Sequence, residues 1–498
     1  MSETGPEPPV EPGIAAGWHL VRSPQAGAKV IHGGVIRGGG YGTGVALMAA
    51  ASVLLLRYLG VAEFGRYVTV MSLIAIVAGV ADAGLTAVAN RELATRALET
   101  ERWALMRNLV GLRLLLTPVG VVLAVVFAIV AGYGHELVLG TALAGVGLVL
   151  TTTQMTMILP LSADLRMAAL TASELLRQVV LVVGMVALVL AGASLLGFFA
   201  IQIVVGLVAL AATPLLLRSR VPWRPAFERK EWSWLLREAL PIGAGLAMNV
   251  IYFRTLIIMM SLISTDRETG LFGTSFRIFE ILFGLAGIVL PVAMPVLAAA
   301  AEEDRERLRY AMQRITEVAA LIAAAFALVL AVAAEPILVL LGGSEYRDAA
   351  PVLQVQALAL VPVFLGQGWQ LGLIALRRQS ALLIANGAAF VVVLVLGLVL
   401  IQSHEAVGAA VAAVIAETVL AGALLAVLIR AGRDVRPRFG FVARLVLALL
   451  PGIAIALLPI GPDFVRAAFA GLAFAVAAWF LRAVPEELRE PLVRRFSS

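Results

Sequence analysis

Apolar stretches of about twenty residues recur along the whole chain, and they limit its fold more than any other feature. A helix needs about 20 apolar residues to cross a bilayer. Of 498 residues, 61% are apolar and 14% are charged, whereas soluble proteins average about 45–50% and about 25%. The apolar runs are too long and continuous for barrel strands, and lipid demands internal backbone hydrogen bonding. The sequence therefore predicts an all-α polytopic membrane protein.

Helix breakers and charge clusters divide the chain into about 14 predicted transmembrane helices. If the N-terminus is cytoplasmic, 29 of the 38 Lys and Arg residues fall on inner segments, 5 on outer segments and 4 within spans. This imbalance follows the positive-inside rule. It predicts a multi-pass protein of the cell inner (cytoplasmic) membrane with both termini cytoplasmic. The predicted spans are 37–57, 67–89, 109–131, 137–162, 172–191, 194–217, 240–263, 272–300, 315–333, 350–374, 381–401, 406–429, 442–460 and 464–481.

An internal repeat becomes visible when the sequence is shifted by 205 residues. GGGYGTG at 38–44 then falls on GAGLAMN at 243–249, and ERWALMRN at 101–108 falls on ERLRYAMQ at 306–313. Six spans separate the copies, so both halves have the same orientation in the membrane. Parallel repeats of this kind occur in transporters that bind substrate between the halves and work by alternating access. We therefore predict two six-helix lobes related by a parallel internal repeat, plus two C-terminal helices.

The predicted domains follow these spans. The N-terminal segment is rich in Pro and Gly and lacks the apolar core of a signal peptide, which indicates a disordered tail. The predicted divisions are a disordered cytoplasmic tail (1–34), an N-lobe with helices 1–6 (35–217), a cytoplasmic inter-lobe linker (218–239), a C-lobe with helices 7–12 (240–430), helices 13–14 (431–481) and a cytoplasmic tail (482–498).

Two stretches resemble a known family of transporters. RYLGVAEFGRYVTVMSLIAIVAGVADAGLTAVANRELA at 57–94 resembles the first-to-second-helix signature of polysaccharide flippases. PILVLLGGSEYRDAAPVLQVQALAL at 336–360 resembles their ninth-to-tenth-helix region. These flippases belong to the multidrug/oligosaccharidyl-lipid/polysaccharide (MOP) exporter superfamily and include O-antigen and exopolysaccharide flippases, which are related to lipid II flippases. The resemblance covers about residues 35–435.

The resemblance implies two lobes around a central cavity lined chiefly by helices 1, 2, 7 and 8. It further implies a flippase that moves a lipid-linked oligosaccharide, such as one linked to undecaprenyl diphosphate, from the inner to the outer leaflet for cell-surface polysaccharide synthesis. The expected partners are this anionic lipid-linked saccharide, membrane lipid, and glycosyltransferases or a polymerase of the same pathway. We expect no nucleic-acid partner, and we expect a monomer.

Three charged residues lie deep in the seventh and eighth spans: Arg254, Arg277 and Glu280. Intramembrane charges usually face a bundle interior or a water-filled cavity. Arg277 and Glu280, three residues apart, are neighbours on one helix face. They form either a self-neutralising packing pair or a polar patch in which Glu280 orients Arg277 toward a phosphate. Arg254 has no acid three or four residues away, so it contacts substrate, a carbonyl oxygen or Glu280.

Other charges are weaker candidates for substrate binding. Asp82, beside Gly84, could be a counter-ion, a proton site or a packing residue. Arg37 and Arg57 flank the first span, where snorkelling to the headgroups is the ordinary role, although Arg37 could meet a diphosphate entering from the inside. We predict substrate binding by Arg254, Arg277, Glu280, Arg37, Asp82 and Arg57.

Charges elsewhere in the spans suggest other roles. Arg113 and Arg177 lie near predicted cytoplasmic ends and are interpreted as anchors, Arg177 with Glu174 three residues before it. Glu417 lies well inside the twelfth span and could pair with a neighbouring helix.

The sequence does not suggest an enzyme. The chain has no cysteine, and it contains no H-E-x-x-H motif, no phosphate-binding loop and no Ser/His/Asp set, so we expect neither catalysis, metal nor cofactor. Two alternatives remain. A cation-coupled multidrug exporter of the same superfamily would favour acidic cavities, whereas a non-transporting membrane scaffold would have no reason to bear buried arginines.

Overall fold

The computed structural model describes residues 24–96, 98–164, 166–217, 224–432, 436–459, 461–485 and 489. For residues 24–41 it describes the backbone and not the side chains. All regular structure in the described residues is helical, which confirms the predicted fold class. Because α1 begins at Pro24, it starts ahead of the predicted boundary at residue 35. The rest of the predicted N-terminal tail lies outside the described residues.

The first half of the chain forms long apolar helices joined by short turns. The turn after Val130 shows how the sequence ends a helix, since Gly132 adopts φ 75, a value that residues with a Cβ rarely adopt. The helices are α1 (Pro24–Asp82), α2 (Leu85–Thr95), α3 (Glu99–Val130), α4 (His135–Met157), α5 (Leu159–Ala163), α6 (Met167–Leu190) and α7 (Leu195–Leu217).

The second half repeats this pattern and adds two helices. The predicted linker 218–239 is partly helical, because its later residues form the first turns of α8, while 218–223 lie outside the described residues. The helices are α8 (Arg229–Ile263), α9 (Asp266–Val289), α10 (Met294–Glu303), α11 (Arg305–Gly342), α12 (Ala350–Ala375), α13 (Gln379–Ala431), α14 (Gly440–Leu457) and α15 (Asp463–Phe480).

Within the described residues, 12 helices are long and apolar enough to cross a membrane. Two of them are divided by a residue outside the helical region. Gly60 (φ 70, ψ 178) divides α1, and Glu405 (φ 49, ψ −128) divides α13. Each of these two helices therefore provides a pair of spans, and the total agrees with the predicted 14.

The chain contacts define two compact units. The first contains the chain up to Leu55 together with Leu73–Ala247, and the second contains Leu56–Ser72 together with the chain from Met248 onward. Residues 56–72, which the predicted boundaries kept in the N-lobe, thus group with the second unit. A close backbone approach explains this grouping, because a Cβ on Gly65 would lie 2.0 Å from the carbonyl oxygen of Asp266.

In the first unit, a break after α1 packs against the backbone of α8. Ala83 (φ 32) and Gly84 (φ 79) end the helix after Asp82. A Cβ on Gly243 would lie 1.8 Å from the carbonyl oxygen of Ala83, so only glycine fits at that position of α8. This contact places the end of α1, with Asp82 on its last turn, beside the start of the membrane-spanning part of α8.

Candidate substrate-binding site

The three predicted charges of the second unit lie on one helical hairpin. Arg254 is on α8, and Arg277 and Glu280 are on α9. Only Ser264 and Thr265 separate the two helices, which makes them antiparallel neighbours. The Thr265 hydroxyl accepts a hydrogen bond from the backbone N–H of Glu268 at 3.2 Å, an N-cap that fixes where α9 begins.

Arg254 and Glu280 form an ion pair between the two helices. Nη2 of Arg254 donates to Oε1 of Glu280 at 2.5 Å. The two side chains are 20% and 34% exposed. Of the alternatives for Arg254, the structure shows the bond to Glu280. The carboxylate therefore serves an arginine on the neighbouring helix, a partner that spacing along one helix does not reveal.

Aromatic rings surround this ion pair and hold the hairpin together. The guanidinium carbon of Arg254 lies 5.8 Å from the centre of the Phe276 ring, within range of a cation–π interaction. Phe253, the neighbour of Arg254 on α8, contacts Phe283 with ring centres 4.5 Å apart and Phe276 at 5.2 Å. Such packing restricts the rotamers of the neighbouring side chains, so the charged groups are held in a defined arrangement.

Arg277 gives this hairpin an excess of positive charge. Its side chain is half-buried. Glu280 lies three residues away, on a neighbouring part of the helix surface. Two arginines and one glutamate leave one net positive charge among these three side chains.

Asp82 lies in the first unit and belongs to a separate cluster. Its carboxylate accepts from Nη2 of Arg113 on α3 and from the hydroxyl of Thr86. Nη2 of Arg113 also contacts the Thr86 hydroxyl at 2.7 Å. Arg113 is 7% exposed and Asp82 is 35% exposed. Of the roles considered for Asp82, counter-ion is the one that the geometry shows.

Arg113 is therefore a buried partner of Asp82, and the interpretation of it as an anchor at the membrane surface was wrong. Its guanidinium bonds within the first unit, to the Asp82 carboxylate and the Thr86 hydroxyl. A buried arginine needs such a carboxylate partner, because an unpaired buried charge is strongly destabilising.

Arg57 caps the end of another helix. Its Nη2 donates to the carbonyl oxygen of Leu340 at 2.7 Å, and its Nε donates to that of Leu341 at 3.4 Å. These carbonyls belong to the last turn of α11, which has no intrahelical donors for them. Arg37 lies on α1 within the residues whose side chains are not described. The structure thus brings Arg254, Arg277 and Glu280 together, and it leaves Asp82 and Arg57 elsewhere.

Sequence reasoning did not find a partner for Glu417. In the structure the Tyr252 hydroxyl donates to Oε1 of Glu417 at 2.9 Å, and Glu417 is 6% exposed. Tyr252 is two residues before Arg254 and lies on the opposite face of α8. The contact of Tyr252 with Glu417 could only have been found from tertiary structure, whereas Glu280 was among the contacts considered for Arg254.

Comparison with known sequences gives one family. A family described as "Polysaccharide biosynthesis protein" matches residues 54–351, which is more than half of the chain. No curated protein sequence matches this chain.

Solved structures of transporters share the fold. The lipid II flippase MurJ in an inward closed conformation aligns with a TM-score of 0.73 and 14% identity, covering 90% of this chain and 99% of that one. An inward-facing MATE family multidrug resistance transporter of the MOP superfamily aligns with a TM-score of 0.62 and 14% identity, covering 78% of this chain and 94% of that one. A MOP superfamily transporter from Pyrococcus furiosus, described for the reverse polarity of its binding pocket, aligns with a TM-score of 0.55 and 14% identity, covering 84% of this chain and 98% of that one. At these identities the similarity establishes the fold alone.

Proposed function

The chain belongs to the polysaccharide biosynthesis protein family, and from this premise we propose that it flips a lipid-linked oligosaccharide across the membrane. It is a multi-pass membrane transporter of the MOP superfamily. Under the proposal it moves the saccharide from the inner to the outer leaflet of the cytoplasmic membrane, for use in cell-surface polysaccharide synthesis. The proposed cargo carries a diphosphate between its polyprenyl chain and its sugars.

The observation that carries this proposal is the net positive charge of the α8–α9 hairpin. Arg254 and Arg277 supply two guanidinium groups, whereas Glu280 supplies a single carboxylate. A guanidinium offers forked donors that match phosphate oxygens, and its charge persists at any physiological pH. We assign Arg254 and Arg277 to the diphosphate. Glu280 holds Arg254 in place through the hydrogen bond between Oε1 and Nη2.

The remaining predicted residues receive different roles. Arg37 is proposed to meet the diphosphate as the cargo enters from the inside. Asp82 holds Arg113 within the first unit. Arg57 stabilises the end of α11, which lies in the same unit as the hairpin. This assignment limits direct contact with substrate to the three arginines Arg37, Arg254 and Arg277.

The arrangement would lower the barrier that a bare bilayer presents to a charged headgroup. The polyprenyl chain stays in lipid while the headgroup exchanges water for fixed donors within the protein. The proposed topology has both termini in the cytoplasm, as the distribution of Lys and Arg indicates. Membrane potential, an ion gradient or consumption of the product outside would supply the driving force. Glycosyltransferases or a polymerase of the same pathway are the proposed protein partners.

A multidrug exporter is the second candidate, because a MATE family transporter shares the fold. The buried Glu417, bonded to Tyr252, is the observation in its favour. Cationic drugs, however, would meet the net positive charge of Arg254, Arg277 and Glu280. The hairpin thus favours an anionic cargo.

Reconstitution into vesicles tests the proposal. Full-length protein would be placed in liposomes that contain either a fluorescent diphosphate-linked oligosaccharide lipid or a fluorescent phosphatidylcholine. Accessibility of each label to a membrane-impermeant quencher would then be followed over time. We expect accelerated flipping of the saccharide lipid alone. The flippase proposal would be refuted if flipping were no faster than in protein-free liposomes. Export of a cationic dye from the same vesicles would then identify a multidrug exporter.

A further inference from the structure

A cavity with several polar side chains lies within the first unit. It has a volume of about 560 Å³ and is formed by side chains of α4, α6 and α7, comparable with cavities that hold small ligands. Its lining includes Thr151, Glu174, Arg177, Gln178 and Gln202 beside Leu181 and Val205. Such a concentration of polar groups within apolar helices needs a physical reason.

Arg177 lies near the middle of its helix. It is ten residues after Met167 and thirteen before Leu190, the ends of α6. At about 1.5 Å per residue it is about 15 Å from one end and about 20 Å from the other, while the hydrocarbon core is about 30 Å thick. The interpretation of Arg177 as an anchor at the cytoplasmic end was wrong, because α6 begins five residues before the predicted span.

The polar groups of this cavity are incompletely satisfied by the protein. Glu174 is three residues from Arg177, yet among the described residues no ion pair of 4 Å or less joins Arg177 to a carboxylate. Nε of Arg177 and Oε1 of Gln178 are buried without a hydrogen-bond partner. Neither atom is exposed to the cavity, but Arg177 itself lines the cavity and, among the described residues, has no carboxylate within 4 Å.

The first helix leaves room for this cavity. A Cβ on Gly44 would lie 2.4 Å from Oε1 of Gln178. Glycine at this position of α1 therefore lets the Gln178 amide occupy its place beside Arg177. A larger residue would displace the amide.

We propose that this cavity binds an acidic sugar, with Arg177 contacting the sugar carboxylate. The amides of Gln178 and Gln202, the hydroxyl of Thr151 and the carboxylate of Glu174 bond the sugar hydroxyls, since these groups donate and accept in the mixture that a saccharide requires. The inference rests on the proposed function and narrows it, because it assigns an acid-containing glycan to the cargo. A simple anion would use Arg177 and leave the amides without a role.

Soluble sugars test the cavity apart from lipid flipping. Purified full-length protein in detergent would be titrated with a uronic-acid disaccharide, its neutral hexose counterpart and inorganic phosphate, by calorimetry. We expect the acidic disaccharide to bind at least about tenfold more tightly than the other two, as one charge-assisted contact provides. Arg177→Gln should abolish this difference. It should leave the melting temperature unchanged or higher, because it removes a buried charge.

Glu174→Gln is the matched variant. It should preserve or increase the preference for the acidic sugar, because it removes a like charge beside the ligand carboxylate. If Glu174→Gln and Arg177→Gln both lower the melting temperature and neither changes sugar binding, the two residues are a packing pair and the inference fails. Equal binding of phosphate and acidic disaccharide, or binding of neither, also overturns it. If the acidic sugar binds through Arg177 but the protein does not flip lipid in vesicles, the proposed function is refuted. The sugar-binding site itself would still be supported.

Discussion

Each of the intramembrane charges Arg254 and Arg113 is held by a partner on a different helix. Arg254 bonds to Glu280 across the α8–α9 hairpin, and Arg113 bonds to Asp82 in the first unit. Removing one member of a buried ion pair is far more damaging than removing both, because the remaining charge stays without compensation. At the scale of single residues, a comparison of single and double substitutions therefore shows whether a charge stabilises an ion pair or contacts substrate.

The first prediction concerns Glu280. Glu280→Gln should lower the free energy of unfolding by about 1–2 kcal/mol, less than the loss for a fully buried pair because both side chains are partly exposed. Arg254→Gln combined with Glu280→Gln should be more stable than the sum of the single effects predicts. A double-mutant cycle from denaturation in detergent measures this coupling. Strictly additive effects would mean that the observed bond contributes nothing to stability.

The second prediction separates a structural from a substrate-binding role for Asp82. Asp82→Asn should destabilise the protein by about 3 kcal/mol, because Arg113 is nearly inaccessible and would lose its carboxylate. Adding Arg113→Gln should restore much of that stability and, with it, the flipping rate. Thermal denaturation and the vesicle assay provide the two measurements. Loss of flipping by Asp82→Asn at undiminished stability would instead place Asp82 in contact with substrate.

How much of the site the sequence could predict depends on where each partner lies in the chain. The sequence identified Arg254, Arg277 and Glu280 because charged residues within apolar runs are conspicuous. It offered Glu280 both as a same-helix neighbour of Arg277 and as one of three possible contacts of Arg254, and spacing along the chain could not choose between them. Asp82 and Arg113 are 31 positions apart, and no local spacing rule connects them. Long-range pairs of this kind require the folded structure.

At the scale of helices, close backbone contacts and capped ends determine how neighbouring elements meet. Gly243 touches Ala83 in the first unit, and Gly65 approaches Asp266 in the second. Small residues allow membrane helices to pack closely, since lipid provides no hydrophobic drive for their association. Arg57 adds a different contact by bonding to the final carbonyls of α11. Each of these contacts can be removed by one substitution.

The third prediction uses two glycines on the same helix. Gly243→Ala should destabilise the protein strongly, because its Cβ would overlap the carbonyl oxygen of Ala83. Gly245→Ala is the control, since nothing lies within 4 Å of its Cβ. The control should be neutral or stabilising by about 0.5–1 kcal/mol, owing to the better helix propensity of alanine. In detergent, Gly243→Ala should have a lower melting temperature than Gly245→Ala. Equal melting temperatures would exclude the close contact between Gly243 and the carbonyl oxygen of Ala83.

The fourth prediction concerns Arg57. Arg57→Gln should reduce the stability of the protein by about 0.5–1 kcal/mol, because α11 would lose the positive charge at its C-terminal end. Flipping of the saccharide lipid should persist at the wild-type rate once folded protein is matched in amount. A variant that folds normally but no longer flips would show that Arg57 contacts the cargo, as the sequence had suggested.

Helix boundaries were predicted less well than the helices themselves. Apolar length identified the span of α6, but α6 starts at Met167 rather than at 172. This difference moved Arg177 from a predicted helix end to the middle. The repeat aligned Gly38 with Gly243 and Gly40 with Gly245, yet only the structure distinguishes the tightly packed glycine from the open one.

At the scale of the whole molecule, the chain combines a transporter fold with intramembrane cations. The fold is shared with a lipid II flippase and with a multidrug transporter, so it does not distinguish between cargoes. The charge of the α8–α9 hairpin does, because an anionic headgroup gains from Arg254 and Arg277 whereas a cation does not. The proposed preference for an anionic cargo therefore depends on the chemistry of these two residues more than on the architecture around them.

Flipping by a charge-depleted variant tests this claim most directly. Vesicles would carry wild type, Arg254→Gln with Arg277→Gln, or a control with Arg305→Gln and Arg309→Gln, two exposed arginines at the start of α11. We expect the control to flip the diphosphate-linked saccharide at the wild-type rate. The variant with Arg254→Gln and Arg277→Gln should lose at least about 90% of that rate, because the loss of one charged contact costs about 1.5–3 kcal/mol. Wild-type flipping by a correctly folded hairpin variant would contradict this claim.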